Sequence, residues 1–204
     1  DDIAGGAAQV IDLFEWRRFA FFPAQLWNLW PQPGPLNGSA GLVTHLFLHG
    51  DLLHVGANLV ALAVFGNNIE DAMGHARFVV FYILCGILAA LSHAATDPSS
   101  QIPMVGASGA ISAVLGAYLL LYPRAHVLVL IPGIGMTRVA AGIVLGMWFV
   151  TQLVSGGMSI GAKGGGVAFF AHIGGFVAGM ALIGLFKRPE VPFFSPPRPR
   201  RWDD

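Results

Sequence analysis

A few residues in this chain have side chains that apolar helices do not need, at spacings that could do chemistry together. Ser108 stands between two glycines in Met104-Val-Gly-Ala-Ser-Gly-Ala-Ile-Ser-Ala-Val-Leu-Gly-Ala-Tyr118. His172 lies in Ala171-His-Ile-Gly-Gly175, and His54 and Asn58 stand four residues apart, just after Asp51. A serine hydroxyl is a weak nucleophile and needs an adjacent base, which the imidazole of His172 can supply. Acyl transfer also needs donors aimed at the developing oxyanion. Asn58, His54 and the backbone N–H of Ser108 are of the right type. The G-x-S-G pattern is weak by itself, because Ser108, Ser112 and Gly116 at i, i+4 and i+8 equally describe a small-residue face for helix packing.

The elements that must hold these residues are membrane helices. Hydrophobic residues make up 55% of the 204 and charged ones 11%, against about 25% charged in a soluble domain. The net charge is zero, so nothing points to nucleic acid as a partner, and the lipid bilayer is the expected surrounding. The single Cys85 lies in an apolar run and reads as packing. Apolar stretches predict spans over residues 52–65, 78–95, 105–121, 139–154 and 167–186. Asp51 is the expected N-cap of the first, which ends near Gly66-Asn67-Asn68 or a little beyond. Residues 127–134 are apolar but short and broken by Pro132 and Gly133, so they are expected to be interfacial rather than spanning. Residues 155–166 read as a loop, and the tail beyond Pro189 as basic and proline-rich.

Polar residues inside spans are costly and mark functional positions. They fall on the first, third and fifth spans, which run in the same direction. His54, Asn58, Ser108 and His172 all lie within roughly 10 Å of the starts of their helices at 1.5 Å rise per residue, so they can meet at one depth. His172, Gly175 and Gly179 share a face of the fifth span, and Gly175-x-x-x-Gly179 permits close approach of a neighbour. The small-residue face of the third span is the natural partner, so close packing and chemistry call for the same helix pair. Gly106 and Gly109 let a substrate or another backbone approach Ser108. No carboxylate lies in any span, which predicts a Ser–His dyad.

With five spans the two termini lie on opposite sides. Placing the C-terminus in the cytoplasm puts Arg77, Arg124, Arg138, Lys187, Arg188, Arg198, Arg200 and Arg201 inside and leaves Arg17, Arg18 and Lys163 outside, as the positive-inside rule favours. An exported N-terminus without a segment to export it leads to the expectation of at least one further transmembrane helix upstream of residue 1. His45, His49, Asp51 and His54 include donors for a metal, but no H-E-x-x-H is present, and neither a metal nor a cofactor is expected. His75, His93 and His126 at span ends read as interfacial.

The sequence resembles the rhomboid family of intramembrane serine proteases. The resemblance rests on His49-Gly-Asp-Leu-Leu-His54-x-x-x-Asn58, Phe65-Gly-Asn-Asn-Ile-Glu-Asp71 with Gly74 and Arg77, Pro103-Met-Val-Gly-Ala-Ser108-Gly, and Ala171-His172-Ile-Gly-Gly175-Phe-x-Ala-Gly179. It implies an all-α helical bundle with five of the usual six transmembrane helices, in the plasma membrane (the inner membrane of a bacterium). Residues 1–41 would form an external or interfacial loop region, 42–188 the transmembrane domain and 189–204 a cytoplasmic tail. It further implies Ser108 as nucleophile, His172 as base, and His54 and Asn58 as oxyanion donors, with cleavage of single-pass transmembrane proteins near the outer membrane face. An inactive rhomboid-like protein that binds transmembrane clients is the alternative. Many members carry an aromatic residue four positions after the nucleophile, packed on the imidazole. Here that position is Ser112, so His172 must be held in some other way.

Overall fold

The computed structural model describes residues 19–29, 38–160 and 168–195. The aromatic and charged stretch before Phe19, the loop around Lys163 and the basic tail from Pro196 onward lie outside the described residues. The first ordered elements are the short helices α1 (Pro23–Leu26) and α2 (Gly38–Thr44), followed by a 3₁₀ turn at His45–Phe47.

Helix α3 (Leu52–Ala61) begins where the sequence placed its cap: the Asp51 side chain accepts a 2.7 Å hydrogen bond from the His54 backbone N–H. A wide π turn at Leu62–Gly66 carries the helix into α4 (Asn67–Met73), so the span reaches Met73, where Gly74 turns the chain at φ 90°. Helix α5 (His75–Thr96) returns. Helix α6 (Ser108–Leu121) begins at Ser108 itself rather than at residue 105. Gly106 at φ 116° cannot continue a right-handed helix into Ser108.

At 14 residues α6 is about 21 Å long, short of the roughly 30 Å hydrocarbon core. Its shortness follows from its place. Residues from Gly109 to Tyr118 are buried, so α6 is surrounded by protein and has no lipid thickness to match. Among the described residues, the chain segment Leu52–Met73 and three other helices, α5, α7 (Ala141–Ser159) and α8 (Phe169–Phe186), are long and apolar enough to cross a membrane. The protein is a helical membrane bundle with α6 at its centre.

Further details depart from the sequence reading. Residues 126–140 form an antiparallel hairpin of β1 (His126–Ile131) and β2 (Gly135–Ala140), with His126 opposite Ala140 and Ile131 opposite Gly135. Pro132 starts the turn, and Gly133 and Gly135 take positive φ there. The segment is non-spanning, as expected, but it is a β-ribbon, so among the described residues the fold is helical with one small two-stranded addition. As a result α7 starts at Ala141 instead of residue 139. It also runs on to Ser159, through the Gly156-Gly157 pair read as loop. A Cβ at Gly156 would lie 3.3 Å from Ile173 and 3.4 Å from Phe169, so this glycine serves close helix contact.

The core is built around α6. Phe81 and Cys85 of α5, Val114, Tyr118 and Leu121 of α6, and Phe176 and Ile183 of α8 are buried in one cluster. The last carbonyls of α6, which have no partner within the helix, accept hydrogen bonds from the backbone of Phe194 (to Leu120) and Ser195 (to Leu121).

Candidate functional site

Ser108 owes its position to the segment before it. Met104 pairs with Phe21 through two backbone hydrogen bonds of 3.1 and 2.8 Å, and Gly106 N–H donates to His45 O at 2.9 Å. These two anchors fix residues 103–107 over the start of α6, so the first residue of the helix faces a cavity. The cavity is about 1190 Å³ and is bordered by His54, His93, Met104, Ser108, Phe170 and His172, among others.

His172 is set by the contact between α6 and α8. A Cβ on Gly175 would run into the Gly109 carbonyl oxygen, one on Gly179 into Ala113, and one on Gly116 into the Phe176 carbonyl. The two helices therefore meet backbone to backbone, as the G-x-x-x-G spacing predicted. One turn above Gly175, His172 Nε2 lies 2.8 Å from Ser108 Oγ. This is hydrogen-bond distance for a nucleophile and its base. His172 is 9% exposed and Ser108 half-buried, so the pair is sheltered but open to the cavity.

The holder of the imidazole, left open by Ser112, is α7. His172 Nδ1 lies 2.8 Å from Gln152 Oε1, and the Trp148 ring sits 5.9 Å from the imidazole, tilted by 39°. The Ser112 hydroxyl donates back to Ser108 O at 2.6 Å and takes no part in holding the ring. Sequence reading assigned polar residues only to the three helices running in one direction and missed Thr151 and Gln152. The available signal was direction: α7 runs the opposite way, so a polar residue in its C-terminal half reaches the depth of residues near the starts of α6 and α8.

His54 and Asn58 are placed differently from each other. The His54 ring lies against Gly106, where a Cβ would come within 2.7 Å of Cε1 and 2.8 Å of Nε2, with Ser108 Oγ at 3.8 Å from the same point. Gly50 N–H donates to His54 Nδ1 at 3.5 Å, which leaves the proton on Nε2, the nitrogen beside Gly106. His49 packs edge-on against His54, ring centres 5.1 Å apart; desolvation and then the neighbouring His54 hold His49 below the usual histidine range. Asn58, one turn further along α3, is 8% exposed. It does not border the cavity as His54 does. Its Nδ2 is buried and has no hydrogen-bond partner among the described residues. The N-terminus of α6 adds backbone N–H groups without helical partners and the positive end of the helix dipole. Together these groups suit attack on a carbonyl and stabilisation of the resulting oxyanion.

Comparison with known proteins gives the context. A family model described as "Rhomboid domain" matches residues 36–189. The chain is 31% identical over 156 residues to RHOMBOID-like protein 5 of Arabidopsis thaliana, covering 76% of this chain and 47% of that one. It is 26% identical over 148 residues to Rhomboid protein 1, mitochondrial, of Saccharomyces cerevisiae, covering 68% and 39%. Over 78 residues it is 36% identical to Rhomboid protease GluP of Bacillus subtilis, covering 38% and 15%. The chain thus spans less than half the length of each of these relatives.

Proposed function

This chain belongs to the rhomboid family, and on that premise we propose that it is an intramembrane serine endopeptidase working through Ser108 and His172. The observation that carries the proposal is the 2.8 Å approach of His172 Nε2 to Ser108 Oγ inside an apolar bundle. Ser108 Oγ attacks the scissile carbonyl carbon while its proton passes to His172 Nε2. The carbonyl oxygen becomes an oxyanion, met by His54 Nε2–H and the N–H groups at the start of α6. The buried Nδ2 of Asn58, one turn along α3, has no partner among the described residues and lies outside the cavity lining, so it reaches the oxyanion only by turning toward the cavity. His172 then gives its proton to the leaving amine, and the acyl-enzyme forms. Water enters through the cavity, His172 takes its proton, and hydrolysis frees Ser108.

The substrates in this reading are single-pass transmembrane proteins, cut near the outer face of the plasma membrane, with residues 189–204 on the cytoplasmic side. Residues 1–41 act as an external or interfacial loop and 42–188 as the transmembrane domain. A cut near one membrane face is supported by Ser108 being the first residue of α6, and the sidedness rests on the distribution of basic residues along the sequence.

The test is cleavage of a single-pass reporter by the protein reconstituted in vesicles, comparing wild type with Ser108→Ala. Cleavage lost in the variant, with the melting temperature kept, is the expected result. Cleavage persisting at the wild-type rate would sink the assignment, and a wild type that binds the reporter without cutting it would favour the inactive client-binding alternative.

A further inference from the structure

The contact between His172 and α7 has a direction that the dyad alone does not explain. Gln152 offers His172 an amide, which can accept through Oε1 or donate through Nε2. Which end faces the imidazole decides the tautomer. If Oε1 faces it, Nδ1 must carry the proton and Nε2 presents a lone pair to Ser108. If the NH₂ faces it, Nδ1 becomes the acceptor, the proton moves to Nε2, and His172 can no longer receive the Ser108 proton.

The surroundings choose between the two. Thr151 Oγ1 donates to Trp148 O at 2.6 Å, so its lone pairs remain to accept. Gln152 Nε2 lies 3.4 Å from that oxygen, and Oε1 lies 2.8 Å from His172 Nδ1. The chain of donors therefore runs from the Gln152 amide to Thr151 and on to the Trp148 carbonyl, while Oε1 faces the ring. An amide turned the other way would leave Thr151 Oγ1, whose proton already goes to Trp148 O, facing a second acceptor. Trp148, one turn before Gln152 on α7, lies beside the ring, 5.9 Å centre to centre. The imidazole is thus held at its edge by Gln152 and along its side by Trp148.

We propose that Gln152 is the positioning residue of this site, fixing the His172 tautomer that accepts the Ser108 proton, and that Thr151 fixes the Gln152 amide. The site is then a relay of Ser108, His172, Gln152 and Thr151, with a neutral amide where a carboxylate would stand in a charged triad. This rests on the reading of Ser108 and His172 as nucleophile and base.

Three variants separate this role from mere packing. Gln152→Met keeps the length but removes the acceptor. Gln152→Glu keeps an acceptor that cannot donate. Thr151→Val keeps the shape of an exposed side chain but frees the amide to turn. Each is compared with wild type by kcat and KM on a single-pass reporter, by the rate of labelling with a fluorophosphonate, which needs no transmembrane substrate, and by melting temperature.

Gln152→Met should lose kcat and labelling rate by about ten- to a hundredfold, the scale expected for a misplaced catalytic group, with KM little changed. Gln152→Glu should recover most of that loss, and Thr151→Val should fall between. Wild-type kcat in Gln152→Met, or equal losses in Gln152→Met and Gln152→Glu, would overturn the positioning role. Wild-type kcat in Thr151→Val would overturn the part given to Thr151. Ser108→Ala run alongside separates the two levels. If it still cleaves, the underlying dyad fails. If it is inactive while Gln152→Met is fully active, only the present inference fails.

Discussion

Replacing Gly179 tests the helix contact that brings the two chemical side chains together. Gly179 has no functional group, so any loss must come through geometry. A Cβ at this position would lie 2.6 Å from Ala113 C and Cα and closer still to the Ala113 carbonyl oxygen, whereas ordinary contact begins at 3.4 Å. The carbon contacts alone require α6 and α8 to separate by about 0.8 Å. Transmitted along two rigid helices, that would lengthen the 2.8 Å Ser108–His172 distance to about 3.6 Å, beyond hydrogen-bond reach. Overpacking of this kind costs about 1–3 kcal/mol, and a 1 Å misplacement of catalytic groups can cost about a hundredfold in rate. Gly179→Ala should therefore lose activity and stability together, and Gly179→Leu should lose more of both. For a chain of this size each kcal/mol corresponds to roughly 2–4 °C in melting temperature. Reporter cleavage and thermal denaturation in detergent measure the two effects on the same samples. Full activity and an unchanged melting temperature in Gly179→Leu would mean that the two backbones do not meet there.

Two further predictions concern the site's surroundings. His54→Ala and Asn58→Ala should each lower kcat by about 10²–10³-fold if their N–H groups meet the oxyanion, with a smaller change in KM; losses confined to KM would assign them to substrate binding instead. His45, fully buried with Nδ1 2.8 Å from Gly41 O, is held down to about pKa 4 mainly by desolvation, against hydrogen bonds to Gly41 and Leu42 that act the other way. Its folded value lies below the usual 6.5, so the unfolded chain binds the extra proton first. The stabilisation is complete above about pH 6.5 and is lost as pH falls toward 4, up to about 3 kcal/mol. Melting temperatures between pH 7.5 and 4.5 should fall less steeply for His45→Gln than for wild type; parallel slopes would contradict this.

The sequence carried the site further than it carried the helix ends. Asp51 signalled the start of α3 because a carboxylate before an apolar run has a cap to make, and Gly175 with Gly179 signalled the face that meets α6 because spacing alone fixes a helix face. Less was legible where tertiary contacts decide. Nothing local says that Gly106 takes a positive φ and delays α6 to Ser108; that follows from its pairing with His45 and its closeness to the His54 ring. The Gly156-Gly157 pair resembles a loop, yet packing on Ile173 and Phe169 keeps it helical. The strands of residues 126–140 were hidden because a short apolar run has no periodicity long enough to separate ribbon from helix. Gln152 was missed because a lone amide in a span looks like a packing residue until a neighbouring helix supplies its partner.

Labelling with a fluorophosphonate, followed by peptide mapping of the adduct, bears most directly on whether Ser108 is a nucleophile activated by His172. A serine that attacks phosphorus must be deprotonated as it does so, and no transmembrane substrate is needed. A Ser108–His172 dyad predicts a single adduct on Ser108 in the wild type, absent in Ser108→Ala and strongly slowed in His172→Ala, with all three proteins melting at similar temperatures. An adduct on another residue, or cleavage of the reporter by Ser108→Ala without any adduct, would contradict it.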